Sequence, residues 1–375
     1  MGRVACLGFG KIASRPMGVT FIRTQHLVYR HFSCTTSASN ADKLVKPSHA
    51  SLADIRARYK HQGHGSVCLE RYSSPGIATI KLQNPQRRNA LSPKMQSELA
   101  DIVDELEREC VDNSSSDMGG VIVMGSHHTF CSGFGKRLLS FPACTLELNP
   151  TYSLSDADLS QAGQGFMTPE SGSEMARLMH DTLLRLRRLP LISVAAIDGF
   201  ALGGGAELST TCDFRVVARN ASIRFVQMTM GVTPGFGGMQ TCSSLQHVTY
   251  ISTFRLGGTR LTKLIGRSNA LRLLLSMPTL HAEEAYALGL CDQIAEDRNV
   301  YEESVRLLNT FLYESGGKGS AKHPVNVVRA MKKVVAAADE LPFETSLVNE
   351  REIFKTLWGG EANLAAMKRI SAQKK

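Results

Sequence analysis

No stretch of this chain carries the roughly 20 consecutive apolar residues that a bilayer-spanning helix requires, which argues against a membrane-embedded protein. None of the nine cysteines (Cys6, Cys34, Cys68, Cys110, Cys131, Cys144, Cys212, Cys242, Cys291) falls in a Cys-x-x-Cys pair. Their odd number and wide scatter fit a reducing compartment, and fit neither a zinc site nor a disulfide frame. No acid occurs before Asp42, whereas Arg3, Lys11, Arg15, Arg23 and Arg30 do. That arginine-rich, Ser- and Thr-rich composition is that of a mitochondrial presequence, and a disordered tail shares it. Residues 1–64 are therefore read as a presequence-like or disordered segment. The five early basic residues account for more than half of the net charge of +9, leaving +4 for the rest. So mild a balance suits an anionic ligand such as a nucleotide phosphate, and equally an ordinary soluble surface. GFGKIA at Gly8–Ala13 matches a dinucleotide-binding fingerprint, but it leaves no room for the βαβ unit of about 30 residues that would make it one.

With 375 residues, 43% of them hydrophobic, the chain can bury a sizeable core. Its organising stretch is Leu191–Arg215, LISVAAIDGFALGGGAELSTTCDFR. The apolar, partly β-branched run Ile192–Ile197 predicts a strand buried on both sides. Gly203, Gly204 and Gly205 then remove three successive side chains, which permits a sharp turn and close approach of a ligand to the backbone. A helix is expected at once, with Ala206, Glu207 and Leu208 in its first turn. Its unpaired N–H groups and positive dipole end suit an anion or a carbonyl oxygen acquiring negative charge.

Strand-like and helical patterns alternate along the rest of the chain, which indicates an α/β core. Two strand-like runs around Ser-Ser-Pro-Gly follow Gly65, and the loop NPQRRNALS, Asn84–Ser92, comes next. Pro93 to about Cys110 reads as an amphipathic helix, Gly119–Gly125 as a buried strand, and Glu174–Leu189 as a second amphipathic helix stopped by Pro190. Phe214–Ala218 reads as a strand. Helices are expected over Leu261–Leu275, Glu283–Leu288, Pro324–Ala338 and Phe343–Leu357.

Four ordered motifs, LQNPQRRNALS, FCSG at Phe130–Gly133, DGFALGGGAEL at Asp198–Leu208 and GVTPGFGG at Gly231–Gly238, resemble the enoyl-CoA hydratase/isomerase, or crotonase, superfamily. RLPLISVA with GGGAELSTTCDFR, and ERE followed by LWGGEANLAAMKR, are similar to the branch of that superfamily that decarboxylates C2-substituted malonyl-CoA thioesters. The resemblance implies a crotonase-like spiral of ββα units over 65–318 and a C-terminal helical trimerisation region over 319–375. It implies an acyl-CoA substrate, no cofactor beyond the coenzyme A of the substrate, and a homotrimer or dimer of trimers, with no membrane or nucleic-acid partner. It also implies an oxyanion hole of two backbone N–H groups, matched here by Ser132 and Gly204. Arg87, Arg88, Asn89, Ala90, Gly133, Gly203, Gln227, Pro234 and Gly235 match substrate-binding positions. The branch suggests the cytosol, while the N-terminal composition suggests mitochondria.

Two preorganised donors would stabilise the thioester enolate formed when a group leaves the α-carbon, and each such donor is worth ~3 kcal/mol. When that group is CO2, as from ethylmalonyl-CoA, an enolate sink, a desolvating pocket and a later proton donor suffice. Hydration of an enoyl thioester needs a water between two carboxylates. The first hydratase carboxylate matches Glu207, but the second falls on Gln227, whose amide cannot exchange that proton. Glu207 has a structural reading, a Glu favoured by the helix dipole, beside a functional one, orienting or protonating the enolate. The alternatives are an enoyl-CoA hydratase or isomerase using Glu207 alone, and a non-catalytic crotonase-like binding protein. Ser132 lacks a nucleophile-elbow context, Cys131 reads as an apolar filler, and His127 and His128 have no third ligand at metal spacing.

Two segments interrupt the family pattern. Removing the 21 residues Phe134–Leu154 restores FCSGSDADLSQAG, and removing the 20 residues Met239–Gly258 restores GFGGTRLTKLIGR. Loops of this length without structure of their own are uncommon inside a compact domain, which points to retained non-coding sequence; long surface loops are the alternative.

Overall fold

The computed structural model describes residues 50–112, 117–133, 168–236, 260–296, 299–314 and 321–373. Both interrupting segments, 134–154 and 239–258, and the presequence-like residues 1–49 lie outside the described residues. Those described all belong to one unit, Pro47–Lys375.

A six-stranded sheet carries the core, ordered β1 (Ser66–Ser74), β2 (Ile77–Gln83), β3 (Gly120–Gly125), β4 (Ile192–Ile197), β6 (Phe214–Ala218) and β8 (Gln293–Ala295). The β1–β2 hairpin is antiparallel, and every later pair is parallel. Parallel strands covered on both faces need apolar residues at successive positions, as in the buried VIV of Val121–Val123 and VAAI of Val194–Ile197.

A second, smaller ladder runs beside the first. After β3 the chain bridges at Cys131 to Ala201 of β5 (Phe200–Leu202), and β5 pairs in parallel with β7 (Ser222–Arg224). β3, β4 and β6 of the main sheet are thus each followed, after a short turn, by a short segment of the second ladder, and the two ladders ascend in the same order. This repeat is the spiral expected from the motifs.

Helix α1 (Leu52–Tyr59) lies inside residues 1–64, the segment read as presequence-like or disordered, so its last part, ahead of Gly65, is helical instead. Ser51 and Asp54 form its capping box, and Ile55 and Tyr59, 0% and 2% exposed, pack against α2 (Pro93–Asp112) and α3 (Pro169–Arg188). α3 begins five residues before the expected Glu174, at Pro169 behind the capping residue Thr168. α4 is Gly204–Ser209. The expected helix 261–275 is two, α5 (Arg260–Ile265) and α6 (Arg267–Ser276), divided at Gly266, whose φ of 79° no α-helix accommodates. α7 (Ala282–Leu288) follows, and α8 (Val300–Leu312) covers β3, β4 and β6.

The C-terminal helices are α9 (Val325–Glu340), α10 (Phe343–Leu357) and α11 (Glu361–Gln373). α9 is tied to the core by polar contacts along its length. Arg329 donates to the Met118 carbonyl at 2.8 Å, buried Lys332 pairs with Asp213, and Glu340 accepts from Arg188 at 2.6 Å. α10 and α11 present Phe343, Leu347, Phe354, Trp358, Leu364 and Met367 to the surface.

Candidate active site

The site forms where β4 leaves the main sheet, crosses to β5 and enters α4. Gly203 caps the helix at φ 51°, a value that side chains rarely tolerate. Gly204 is the first helical residue, two positions earlier than expected, so its N–H has no acceptor within the helix. Close packing explains the glycines. A Cβ on Gly204 would lie 2.5 Å from the Phe236 ring, and one on Gly205 would lie 2.1 Å from the Cys131 carbonyl oxygen.

Glu207 stands one turn into α4 and is 2% exposed. Its Oε1 accepts from Gln227 Nε2 at 2.8 Å, and its Oε2 accepts from the Phe236 N–H at 2.9 Å. Both oxygens of the carboxyl group are thus engaged by N–H donors. Gly204, Glu207 and Gln227 are therefore brought together as expected. Pro234 and Gly235, half-buried, lead into Phe236 on the same loop.

Arg260 lies behind this group, 7% exposed. It donates to the Phe236 carbonyl at 2.8 Å and to Thr210 Oγ1 at 3.3 Å. Burial pushes its pKa down to about 10, opposed by the negative charge of Glu207, so it stays cationic at neutral pH. His180 of α3 neighbours both Arg260 and the Gly235 backbone. Burial, then the Arg260 charge, lower its pKa, against a hydrogen bond to Gly235. Phe236 was inside a recognised motif, but nothing in the sequence marks its ring as the neighbour of Gly204. Arg260 and His180 carried no signal at all, because their contacts come from distant elements.

Ser132 does not fill the role its motif suggested. Its N–H donates to the Arg88 carbonyl at 2.9 Å and its Oγ to the Arg87 carbonyl at 2.9 Å. An N–H already spent on a carbonyl is not an oxyanion donor. The next residue, Gly133, has φ 82°, and among the described residues its own N–H meets only the weakly accepting Cys131 sulfur at 3.4 Å. A Cβ on Gly133 would lie 3.0 Å from the Gly204 nitrogen, so these two backbones meet.

Asn89 is likewise not a substrate contact. It is 0% exposed, accepts from the Asn84 N–H and Ser126 Oγ, and donates to the Ser126 and Thr129 carbonyls. All four of its hydrogen-bonding positions join loops to one another. Arg87, Arg88 and Ala90 are half-exposed on that turn, with the Arg88 guanidinium 5.5 Å from the centre of the Phe200 ring.

Cys131 is fully buried beside Gly205, and burial pushes its thiol up to about 12, which makes it a packing residue. His127 and His128 occupy a turn at φ 52° and 53°, and His128 Nδ1 lies 2.8 Å from Asp198 Oδ2. Among the described residues no three His, Cys, Asp or Glu side chains converge on a point. A separate cleft of about 660 Å³ opens at the carboxyl ends of β2–β4, lined by Lys81, Ser126, His128 and Tyr301 among others; Gly204, Glu207 and Gln227 do not line it.

The ascending ladders, the glycine turn and the backbone donor beside a buried glutamate define an enzyme of the enoyl-CoA hydratase/isomerase class. The sequence pattern described as Enoyl-CoA hydratase/isomerase matches residues 72–138 and 150–245, and the chain belongs to that family. Within the family it is 36% identical to ethylmalonyl-CoA decarboxylase of Xenopus laevis, over 86% of this chain and 90% of the relative. It is 32% identical to ethylmalonyl-CoA decarboxylase of Homo sapiens, over 89% and 93%. The crystal structure of an enoyl-CoA hydratase from Bacillus anthracis shares the fold, with a TM-score of 0.60 at 24% identity over 82% of this chain and 96% of that one.

Proposed function

We propose that this protein removes CO2 from ethylmalonyl-CoA or a closely related C2-substituted malonyl-CoA, leaving the saturated acyl-CoA. The observation that carries the reading is the contact between Glu207 and Gln227. Where hydration would need a second carboxylate, the partner of Glu207 is an amide that gives its hydrogen and exchanges none. The similarity to relatives named ethylmalonyl-CoA decarboxylase supports the same choice.

In this mechanism the thioester carbonyl accepts the Gly204 N–H. Because the Ser132 N–H is engaged by the Arg88 carbonyl, the second donor is assigned to Gly133, whose backbone meets that of Gly204. The bond from C2 to the carboxylate breaks, its electron pair moves into C2 and onto the thioester oxygen, and CO2 departs. The donors are set against the charge that develops, so they lower the barrier more than they tighten substrate binding. C2 then takes a proton. Glu207 accepts two N–H bonds and so orients the proton source rather than acting as that source.

The exposed apolar residues of α10 and α11 support assembly as a homotrimer or dimer of trimers, which would cover them. Sedimentation at micromolar concentration measures this, and a monomer would refute it.

The enzymatic test is incubation with ethylmalonyl-CoA. CO2 and butyryl-CoA in equal amounts are expected, with the conjugated enoyl absorbance of crotonyl-CoA unchanged in a parallel sample. Loss of that absorbance without any decarboxylation would replace this reading with hydration.

A further inference from the structure

Arg260 is a buried guanidinium without a carboxylate at ion-pairing distance among the described residues. Burying a charge without a close counter-charge is costly, so such a group persists where its neighbours use it. Both of its acceptors belong to the machinery around α4. Thr210, which takes the Nε hydrogen, closes the C-terminal end of α4 and donates its own Oγ1 hydrogen to the Glu207 carbonyl at 2.7 Å. Phe236, whose carbonyl takes the Nη2 hydrogen, covers the N-terminal end with its ring against Gly204.

Phe236 is thus held between two opposite charges. Its N–H goes to the Glu207 carboxylate and its carbonyl receives the Arg260 guanidinium, at 2.9 and 2.8 Å. Fixing the residue at both backbone groups fixes the ring, and the ring is the wall beside the Gly204 donor. Hydrogen bonds to an ionised group are the stronger kind, so this clamp is stiffer than two neutral ones.

We propose that Arg260 is a positioning residue for the decarboxylation: through Phe236 it sets the place of the Gly204 donor, and its charge acts on the Glu207 carboxyl group held by the same residue. The inference rests on the functional reading above. Other described charged or titratable groups are poorly placed to substitute. His180, from α3, is kept towards neutrality by its burial. Arg187, also from α3, is engaged by Asp339 at 2.6 Å. Cys212, beyond α4, has its thiol pushed by burial to about 12 and is neutral.

The test compares R260M, which keeps bulk and loses charge, with R260K, which keeps charge and loses the two-pronged geometry. For R260M, kcat on ethylmalonyl-CoA should fall roughly a hundredfold, the scale of a misplacement near 1 Å, with KM changed less than about threefold. R260K should recover part of that loss. In substrate-free protein, the Glu207 carboxyl band in infrared titration, identified by its absence in E207Q, should shift to higher pH in R260M and return towards the wild-type position in R260K. An unmoved Glu207 band, or equal losses in both variants, overturns the proposal. If R260M does not fold, T210V removes the Nε acceptor together with the Thr210 bond to the Glu207 carbonyl, and T210S, which keeps both, is its control. A severalfold fall in kcat at constant KM then supports the clamp, and no change refutes it. Absence of any wild-type turnover defeats the decarboxylase reading alone, because the infrared comparison still decides the role of Arg260.

Discussion

Gln227 gives its Nε2 hydrogen to Oε1 of Glu207 across 2.8 Å, and both side chains are buried. With the carboxylate fixing which end of the amide faces it, Gln227 Oε1 is left buried without a hydrogen-bond partner among the described residues. An amide here donates to Glu207 and leaves an acceptor at the site, whereas a carboxylate would have to share a proton with Glu207.

The substitution Gln227→Glu tests this directly. Two carboxyl groups in contact cannot both ionise easily, so one retains its proton near neutral pH and becomes a general acid beside a base. Crotonyl-CoA hydration should rise on the order of a hundredfold above the wild-type background, while decarboxylation falls. A variant that neither hydrates nor loses decarboxylation would remove Gln227 from any part in reaction choice.

Gly204→Ala should act through the Phe236 ring. The added Cβ would lie 2.5 Å from a ring carbon, so the ring or the donor must shift. The expected loss in kcat is on the order of a hundredfold, with folding retained because the ring borders a loop. Steady-state kinetics with a thermal melt separate the two effects. Activity within twofold of wild type would mean that the donor lies elsewhere.

These consequences divide by how far they were written in the sequence. β4 was legible to the residue because an apolar β-branched run ends at Asp198, and α10 because Pro342 opens it and glycines follow its end. α1 was hidden by the composition upstream, although Ser51 and Asp54 stood in plain capping positions. The start of α4 was misplaced because consecutive glycines disfavour a helix in isolation, and here the Cys131 carbonyl and the Phe236 ring demand them. Ser132 and Asn89 were misassigned for a related reason. A motif shows which residues recur, but the partners that occupy their polar groups arrive from other turns of the spiral.

Ser132→Ala should leave turnover nearly intact. Its Oγ hydrogen bond to Arg87 is lost, at about 1 kcal/mol of stability, while its N–H remains on the Arg88 carbonyl as before. Urea denaturation and kcat/KM measure the two. A loss beyond about tenfold in kcat/KM with stability unchanged would restore Ser132 to the reacting centre.

Asn89→Ala should do the reverse, harming the fold before the chemistry. It strands the Asn84 N–H, the Ser126 hydroxyl and the Thr129 carbonyl in the interior, and leaves the Ser126 carbonyl only the Thr129 N–H at 3.4 Å. With about 1–3 kcal/mol for each unsatisfied buried group, a total of at least ~3 kcal/mol is expected in the denaturation midpoint. Its φ of 56° adds strain for alanine. A change under 1 kcal/mol would mean that these loops are joined in another way.

The thiols give a test of packing at the glycine turn that needs no substrate. Burial pushes Cys131 and Cys212 up to about 12, and a thiol with a raised pKa holds less thiolate at any lower pH. At pH 8 both groups are therefore held as thiols, and neither sulfur is reachable without opening the core. Alkylation of native protein at pH 8 should therefore leave both unmodified, and both should label fully in denaturant. Cys131 is the informative one, because its carbonyl sits where any side chain at position 205 would go. Rapid native labelling of Cys131 would mean that this contact opens in solution, and with it the wall that holds Gly204 in place.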